Sequence, residues 1–212
     1  MAKSTLTFLR AWPLDVPTAQ FTVSYWKVEH ALVHVHGIAP DDVSRFRSRF
    51  GALQKGGLFG AANQPGKGTK LVYTPDLIHR AVLAIELSQV GVAPAVILRL
   101  INDFWDSRLR AICEEAEREV MHPSRGGGDI VLFLAGISLV SEGERAVPNI
   151  NHAPMRKLSA RMELALSGDK LPGRVLVINL TAQLRKFHNA LADVHLQPDP
   201  EDSPKRAKKS RR

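Results

Sequence analysis

Glycine and proline residues divide the stretch between residues 23 and 121 into short segments, and this punctuation constrains the fold more than any other feature of the sequence. Within the first segment, Val28, Leu32 and Val35 recur at helical spacing, which predicts a helix with one apolar face. Gly37 follows at once, and glycine most readily takes the left-handed conformation after a helix. The N-terminal part of the chain is therefore expected to consist of several short helices packed on one another.

A second helix is predicted from about residue 40 to residue 54. Proline and two acidic residues at 40–42 suit a helix N-terminus, because proline is preset for the first turn and the helix dipole favours negative charge there. The apolar residues of this helix recur at spacings of three and four and are Val43, Phe46, Phe50 and Leu53. Two short helices joined by a tight turn that contains glycine predict a helix-turn-helix.

A hairpin and two further helices are expected to follow. Turn-rich residues flanked by strand-compatible ones predict a β-hairpin over residues 60–73. Thr74, followed by Pro75, predicts the N-cap of a third helix. Gly91 interrupts that helix, and a fourth helix keeps nearly continuous apolar spacing over residues 94–121.

Short elements of both kinds alternate in the rest of the chain. They are predicted as strands at 129–140 and 174–180 and as helices at 154–166 and 181–194. Residues 129–195 are therefore expected to form a small α/β unit. The remaining residues, 196–212, are proline-rich and charged with little to bury, and they are expected to be a disordered basic tail.

The order helix, turn, helix, hairpin, helix, glycine break, helix resembles the DNA-binding domain of MerR-type regulators. Residues 66–77, GKGTKLVYTPDL, are similar to the glycine-rich basic wing of that family, with its following tyrosine and helix cap. Residues 87–98, LSQVGVAPAVIL, are similar to the family's junction between its last two helices. The resemblance covers residues 24–101. It departs from the family in the length of chain before the first helix and in the C-terminal half, which matches no sensing domain of these regulators.

The expected fold class is α+β, with an N-terminal winged helix-turn-helix, a long linking helix and a small C-terminal α/β unit. The expected domains are an N-terminal extension at 1–23, the MerR-like winged helix-turn-helix at 24–101, a linking and dimerisation helix at 102–122, the α/β domain at 129–195 and the tail at 196–212.

Candidate DNA-binding residues lie on the second helix and in the hairpin. On the helix, a face away from the apolar stripe carries Ser44, Arg45, Arg47, Ser48 and Arg49, with Lys55 at its end. Arginine in the major groove can bond to guanine through two donors, and further cations can neutralise phosphates. In the hairpin, Lys67, Thr69 and Lys70 are expected on phosphates or in the minor groove, and Tyr73 is expected either on a phosphate or packed behind the wing. The alternative is an ordinary solvated helix face and a polar loop.

The family resemblance also implies a twofold dimer formed through the helix that follows the DNA-binding domain. In this chain the candidate contact residues are Trp105, Leu109 and Ile112. The alternative is that this apolar stripe packs against the C-terminal unit of the same chain.

Composition supports a polyanionic partner and argues against several other classes. Lysine and arginine number 29 against 21 acidic residues, a net charge of +8. A single cysteine excludes an internal disulfide and a multi-thiolate metal site, and His30 and His34 have no evident third ligand. The candidate catalytic groups, Asp129, Glu142, Glu144, His152 and His188, are scattered, so no enzyme, metal or cofactor is expected. No apolar run approaches a membrane span and no leader is evident, so a cytoplasmic, nucleoid-associated protein without a membrane partner is expected.

The leading functional interpretation is a sequence-specific transcription regulator that binds double-stranded DNA as a homodimer. Two alternatives stay open: a DNA-binding accessory or adaptor protein with little sequence preference, and a protein-interaction module that uses the C-terminal half and binds no DNA.

Overall fold

A computed structural model describes residues 22–60, 71–123, 128–135, 149–166 and 175–195 of the chain. Its α-helices are α1 (Tyr25–Val35), α2 (Val43–Lys55), α3 (Pro75–Gln89), α4 (Pro94–Phe104), α5 (Arg110–Met121), α6 (Leu158–Leu166) and α7 (Leu180–His195). Short 3-10 helices precede α2 at Pro40–Asp42 and α6 at Met155–Lys157, and a π-helical segment, Trp105–Leu109, joins α4 to α5. No helix in these ranges is long and apolar enough to cross a membrane.

Two small antiparallel sheets accompany the helices. Strands β1 (Val23–Ser24) and β2 (Val72–Tyr73) pair with each other, with Val23 opposite Tyr73. Strands β3 (Ile130–Ala135), β4 (Asn149–Pro154) and β5 (Val175–Asn179) form a sheet in the order β4-β3-β5. The mixed helix and sheet content confirms the α+β class. Residues 1–21 of the predicted extension (1–23), residues 61–70 of the predicted hairpin (60–73) and the whole predicted tail (196–212) lie outside the described residues.

Helix ends in the N-terminal part follow from local backbone preferences. Gly37 takes φ +57° after α1, and the Ile38 amide donates to the Val33 carbonyl, which closes the helix with a Schellman-type turn. The Thr74 hydroxyl accepts from the Leu77 amide at 3.4 Å and caps α3. Gly91, with φ +85°, separates α3 from α4. These boundaries agree with the sequence predictions.

The π-helical segment keeps one apolar stripe continuous along α4 and α5. Ile97, Ile101, Trp105 and Leu109 recur every four residues and are all fully buried. A four-residue spacing drifts around an α-helix, which has 3.6 residues per turn, whereas the wider π turn holds more residues and removes the drift. The long helix predicted to residue 121 is thus present as three consecutive helical segments.

One hydrophobic core runs through both halves of the chain. It contains Val28 and Leu32 of α1 together with Leu184, Phe187 and Leu191 of α7, all at most 1% exposed. Helix α7 packs against α1 and α5, so the core crosses the predicted boundaries between the N-terminal domain, the linking helix and the C-terminal unit. A smaller cluster on the other face of the sheet lies under α6.

The expected dimer contact through Trp105, Leu109 and Ile112 is a prediction that the fold corrects. Trp105 and Leu109 are 0% exposed and Ile112 is 4% exposed within a single chain. Their side chains are already covered by the chain's own core and offer no surface to a second copy. These three residues pack within their own chain, as the alternative interpretation of the sequence had it.

A buried histidine after α1 makes the fold sensitive to acid. His36 has a side chain only 6% exposed, and its Nδ1 lies 3.5 Å from Glu86 Oε1. Burial, and then the charge of Lys186, lowers the pKa of His36 from 6.5 to about 4. A charged Glu86 would favour an imidazolium, but burial disfavours charge on both side chains and raises the pKa of Glu86 as well.

We expect His36→Gln to remove part of the acid sensitivity of folding. Below pH 6.5 the unfolded chain takes up a proton at His36 that the folded chain refuses until about pH 4, so the wild type loses up to about 3 kcal/mol across that window. Urea denaturation at intervals from pH 7 to pH 4 measures this slope. His34→Gln, at an exposed position in the last turn of α1, is the control and should keep the wild-type slope of stability against pH. If the free energy of unfolding falls equally with pH in the wild type and in His36→Gln, His36 is not a source of the acid sensitivity.

Candidate nucleic-acid interface

Helix α2 turns a cationic face outward because its apolar face is fixed in the core. Phe46, Phe50 and Leu53 are buried. The residues predicted to face DNA from this helix are all exposed: Ser44, Arg45, Arg47, Ser48, Arg49 and Lys55. The chain therefore presents three arginines within five positions of one anchored helix.

The three arginines differ in what holds them. Arg45 pairs with Asp42 at 2.9 Å, but both side chains are more than half exposed, so the pair is weak and its partner easily exchanged. Arg47 Nε donates to Glu29 Oε1 at 2.6 Å, and that carboxylate is only 5% exposed. Arg49 has no ion pair with any residue that the structure describes. The Ser48 hydroxyl donates to the Ser44 carbonyl at 3.0 Å and is thus engaged within the helix.

Glu29 is the buried partner of Arg47, and sequence reasoning missed it. It lies on α1, buried among apolar residues, and its carboxylate reaches Arg47 of α2. Its carboxylate also interacts with Tyr25: burial first, and then Glu29, raises the pKa of the Tyr25 hydroxyl to about 12. The available signal was a charged residue at helical spacing from Leu32, on a face otherwise expected to be apolar.

A cleft of about 200 Å³ opens beside the arginines, between α2 and the C-terminal end of α3. Its apolar lining includes Ile38, Phe46 and Ile85, and its charged lining consists of Arg45, Arg49 and Asp42. The cleft combines apolar area with two cations next to the exposed face of α2.

Tyr73 is a predicted DNA contact that the structure corrects. Its side chain is 0% exposed, and its hydroxyl accepts a hydrogen bond from Gln54 Nε2 at 2.5 Å. Its ring meets Phe59 edge-on at 5.3 Å. Burial raises the pKa of Tyr73 well above its ordinary value. Tyr73 thus anchors β2 beneath α2, which is the second of the two roles that the sequence left open. Lys67, Thr69 and Lys70 lie outside the described residues.

The start of α3 is tied to the π-helical segment by a partly buried polar cluster. Asp76 accepts from Trp105 Nε1 at 2.8 Å and pairs with Arg80 and Arg110 at 3.2 and 3.0 Å. The Arg80 guanidinium lies 4.6 Å from the Trp105 ring centroid and also donates to the Leu58 carbonyl. The Arg80 side chain is thereby held inside the chain and is only 11% exposed.

A second buried cluster joins three helices through one carboxylate. Glu117 of α5 lies 3.4 Å from His79 of α3 and 2.7 Å from His188 of α7. Burial alone would raise the pKa of Glu117, but hydrogen bonds from His188 and His79, with their charges, outweigh it and lower that pKa to about 2. The described residues contain no group of three His, Cys, Asp or Glu side chains arranged to hold a metal ion. The cluster acts as an electrostatic tie between helices.

Two other candidate catalytic residues of the sequence form separate ion pairs. His152 pairs with Glu115 at 2.9 Å, and Asp129 pairs with Arg185 at 2.9 Å. Glu142 and Glu144 lie outside the described residues.

Comparisons of the chain with protein-family models, with curated proteins and with solved structures found no match.

Proposed function

We propose that this protein binds duplex DNA through the exposed face of α2, as a winged helix-turn-helix regulator of transcription. The observation that carries the proposal is the set of three exposed arginines, Arg45, Arg47 and Arg49, on a helix whose opposite face is fixed in the core. A rigid helix that presents cations on one face fits the major groove and can engage base edges and phosphates together.

The position of α2 supports the same proposal. It follows α1 after a tight turn closed at Gly37, as the second helix of a helix-turn-helix does. Its 13 residues span about 20 Å, enough to lie along the groove for several base pairs. Lys55 adds a cation at its C-terminal end.

The proposed wing is the segment that leads into β2. Lys67, Thr69 and Lys70 closely precede β2 in the chain, and Tyr73 of β2 is anchored to α2 through Gln54. Residues delivered to that side of α2 would reach phosphates next to the groove that the helix occupies. A regulator of this kind would act on the nucleoid. If it binds a pseudo-palindromic site as a homodimer, the contact between the two copies is formed by residues other than the buried Trp105, Leu109 and Ile112.

We expect Arg45→Ala/Arg49→Ala to weaken DNA binding by about tenfold or more and to lower the slope of log affinity against log salt by about two. Arg47 is kept in this variant so that buried Glu29 retains its partner. Fluorescence anisotropy over a range of salt concentrations, with a duplex selected from a random pool and with bulk duplex, measures both quantities. A regulator should prefer the selected site by about a thousandfold or more.

The matched control is Arg118→Ala/Arg161→Ala, which removes the same charge from exposed positions on α5 and α6. If both double variants lose the same affinity, binding depends on overall charge and α2 has no special role. Binding without preference for any selected site would support the accessory-protein alternative. A wild-type protein that binds no duplex would contradict the proposal and favour a protein-interaction module.

A further inference from the structure

This inference rests on the proposed function and concerns how the α2 arginines divide the work. We propose that Arg47 reads a guanine in the major groove and that Glu29 is the residue that positions it. The juxtaposition behind this is a half-exposed arginine whose Nε is held at 2.6 Å by a carboxylate only 5% exposed.

The guanidinium of Arg47 is already oriented in the free protein. A guanidinium carries five donors in one plane, and Glu29 engages the Nε side. Its two terminal nitrogens have no partner among the described residues, and the side chain is 50% exposed. Two parallel N–H donors match the O6 and N7 acceptors of guanine. Because Glu29 fixes the side chain in the free protein, less rotamer freedom is lost on binding.

The charge of the pair separates base reading from phosphate binding. The buried carboxylate neutralises Arg47 locally, so the pair adds little attraction for the phosphate backbone. Phosphate neutralisation requires net positive charge and little orientation. Arg49 and Lys55 form no ion pair with a described residue, and the pair of Arg45 with Asp42 is exposed. These three cations serve that role better. Arg47 therefore supplies preference for a base, and the other cations supply salt-dependent affinity.

The test uses the full chain and a duplex site selected from a random pool, with each base pair replaced in turn. Arg47→Lys keeps the charge and removes the fork. We expect it to weaken binding to the selected site by about tenfold or more, to abolish the preference at one G·C pair, and to leave the salt slope unchanged. Arg49→Lys is the matched control on the same helix and should keep the base preference.

Glu29→Gln gives a second readout that loss of structure alone would not produce. Without the carboxylate, Arg47 becomes an unneutralised cation, so affinity for bulk duplex and the salt slope should rise, the slope by about one. The preference at the same G·C pair should fall. Urea denaturation of each variant checks folding, and Arg47→Lys, a change at a half-exposed side chain, carries the test if Glu29→Gln folds poorly.

Two results would overturn the inference. One is full retention of the G·C preference by Arg47→Lys, and the other is an equal loss on every duplex with a smaller salt slope, which would make Arg47 a phosphate contact. If Arg45→Ala/Arg49→Ala lowers binding while Arg47→Lys keeps the preference, this inference fails and the proposed function stands. A wild-type protein that binds no duplex overturns both.

Discussion

Replacing Trp105 with alanine is expected to lower the free energy of unfolding by about 3–5 kcal/mol, the range for removing a large aromatic side chain from a packed core. Trp105 is 0% exposed and lies in the π-helical segment. Its indole donates to Asp76, and the Arg80 guanidinium stacks on its ring. Alanine leaves a cavity and removes the apolar surface that covers Arg80.

Urea denaturation followed by circular dichroism measures this loss. Ser107→Ala, at an exposed position of the same segment, is the control and should change stability by no more than about 0.5 kcal/mol. Trp105→Phe keeps a ring but loses the hydrogen bond to Asp76, so its loss of stability should lie between those of Ser107→Ala and Trp105→Ala. If Trp105→Ala changes self-association with concentration and leaves unfolding of the single chain untouched, the residue belongs to a dimer contact after all.

Truncation after Pro123 is expected to abolish cooperative folding. The fragment 1–123 retains every element of the proposed winged helix-turn-helix but loses α7, whose Leu180, Leu184, Phe187 and Leu191 lie in the common core. Each large apolar side chain contributes about 1.5–3 kcal/mol when fully buried, so four of them together match the whole stability of a typical domain. The fragment would also expose the α1 surface that α7 covers and leave Glu117 without His188.

Thermal melting and the dispersion of amide signals in a two-dimensional NMR spectrum measure the outcome. The full chain is the reference, and a chain ending at residue 195 is the matched control, since it keeps α7 and removes only the tail. A cooperative melt with dispersed signals from fragment 1–123 would show that the N-terminal unit is independent, as the sequence suggested.

The features that the sequence predicted are those controlled by neighbouring residues. Helix ends at Gly37, Thr74 and Gly91 depend on backbone conformations and caps that only a few residues determine. The outward face of α2 followed from the spacing of Phe46 and Phe50, because a buried stripe fixes which side of a helix meets solvent.

Contacts between distant parts of the chain could not be predicted in the same way. Arg47 and Glu29 are 18 positions apart, and Glu117 and His188 are 71 apart, so no local pattern specifies either pair. Strand β4 was missed because its sequence, NINHAP, has few apolar residues, follows Pro148 and ends in Pro154, and asparagine and proline are typical of turns. The common core was missed for a related reason: an apolar stripe shows that a helix is covered, but not by which partner.

The π-helical segment also limits which insertions and deletions the chain can tolerate during evolution. Each residue of an α-helix advances it by about 100° around its axis, so gain or loss of one residue between α4 and α5 would rotate all of α5 relative to α4. Ile112, Ala116 and Val120 would leave the core together, and Glu117 would turn away from both of its histidines. Selection should therefore act on the number of residues in this segment more strictly than on the identity of exposed ones such as Ser107. A related sequence with the same fold is therefore expected to keep the number of residues between Ile101 and Ile112, whereas the exposed residues between them can differ.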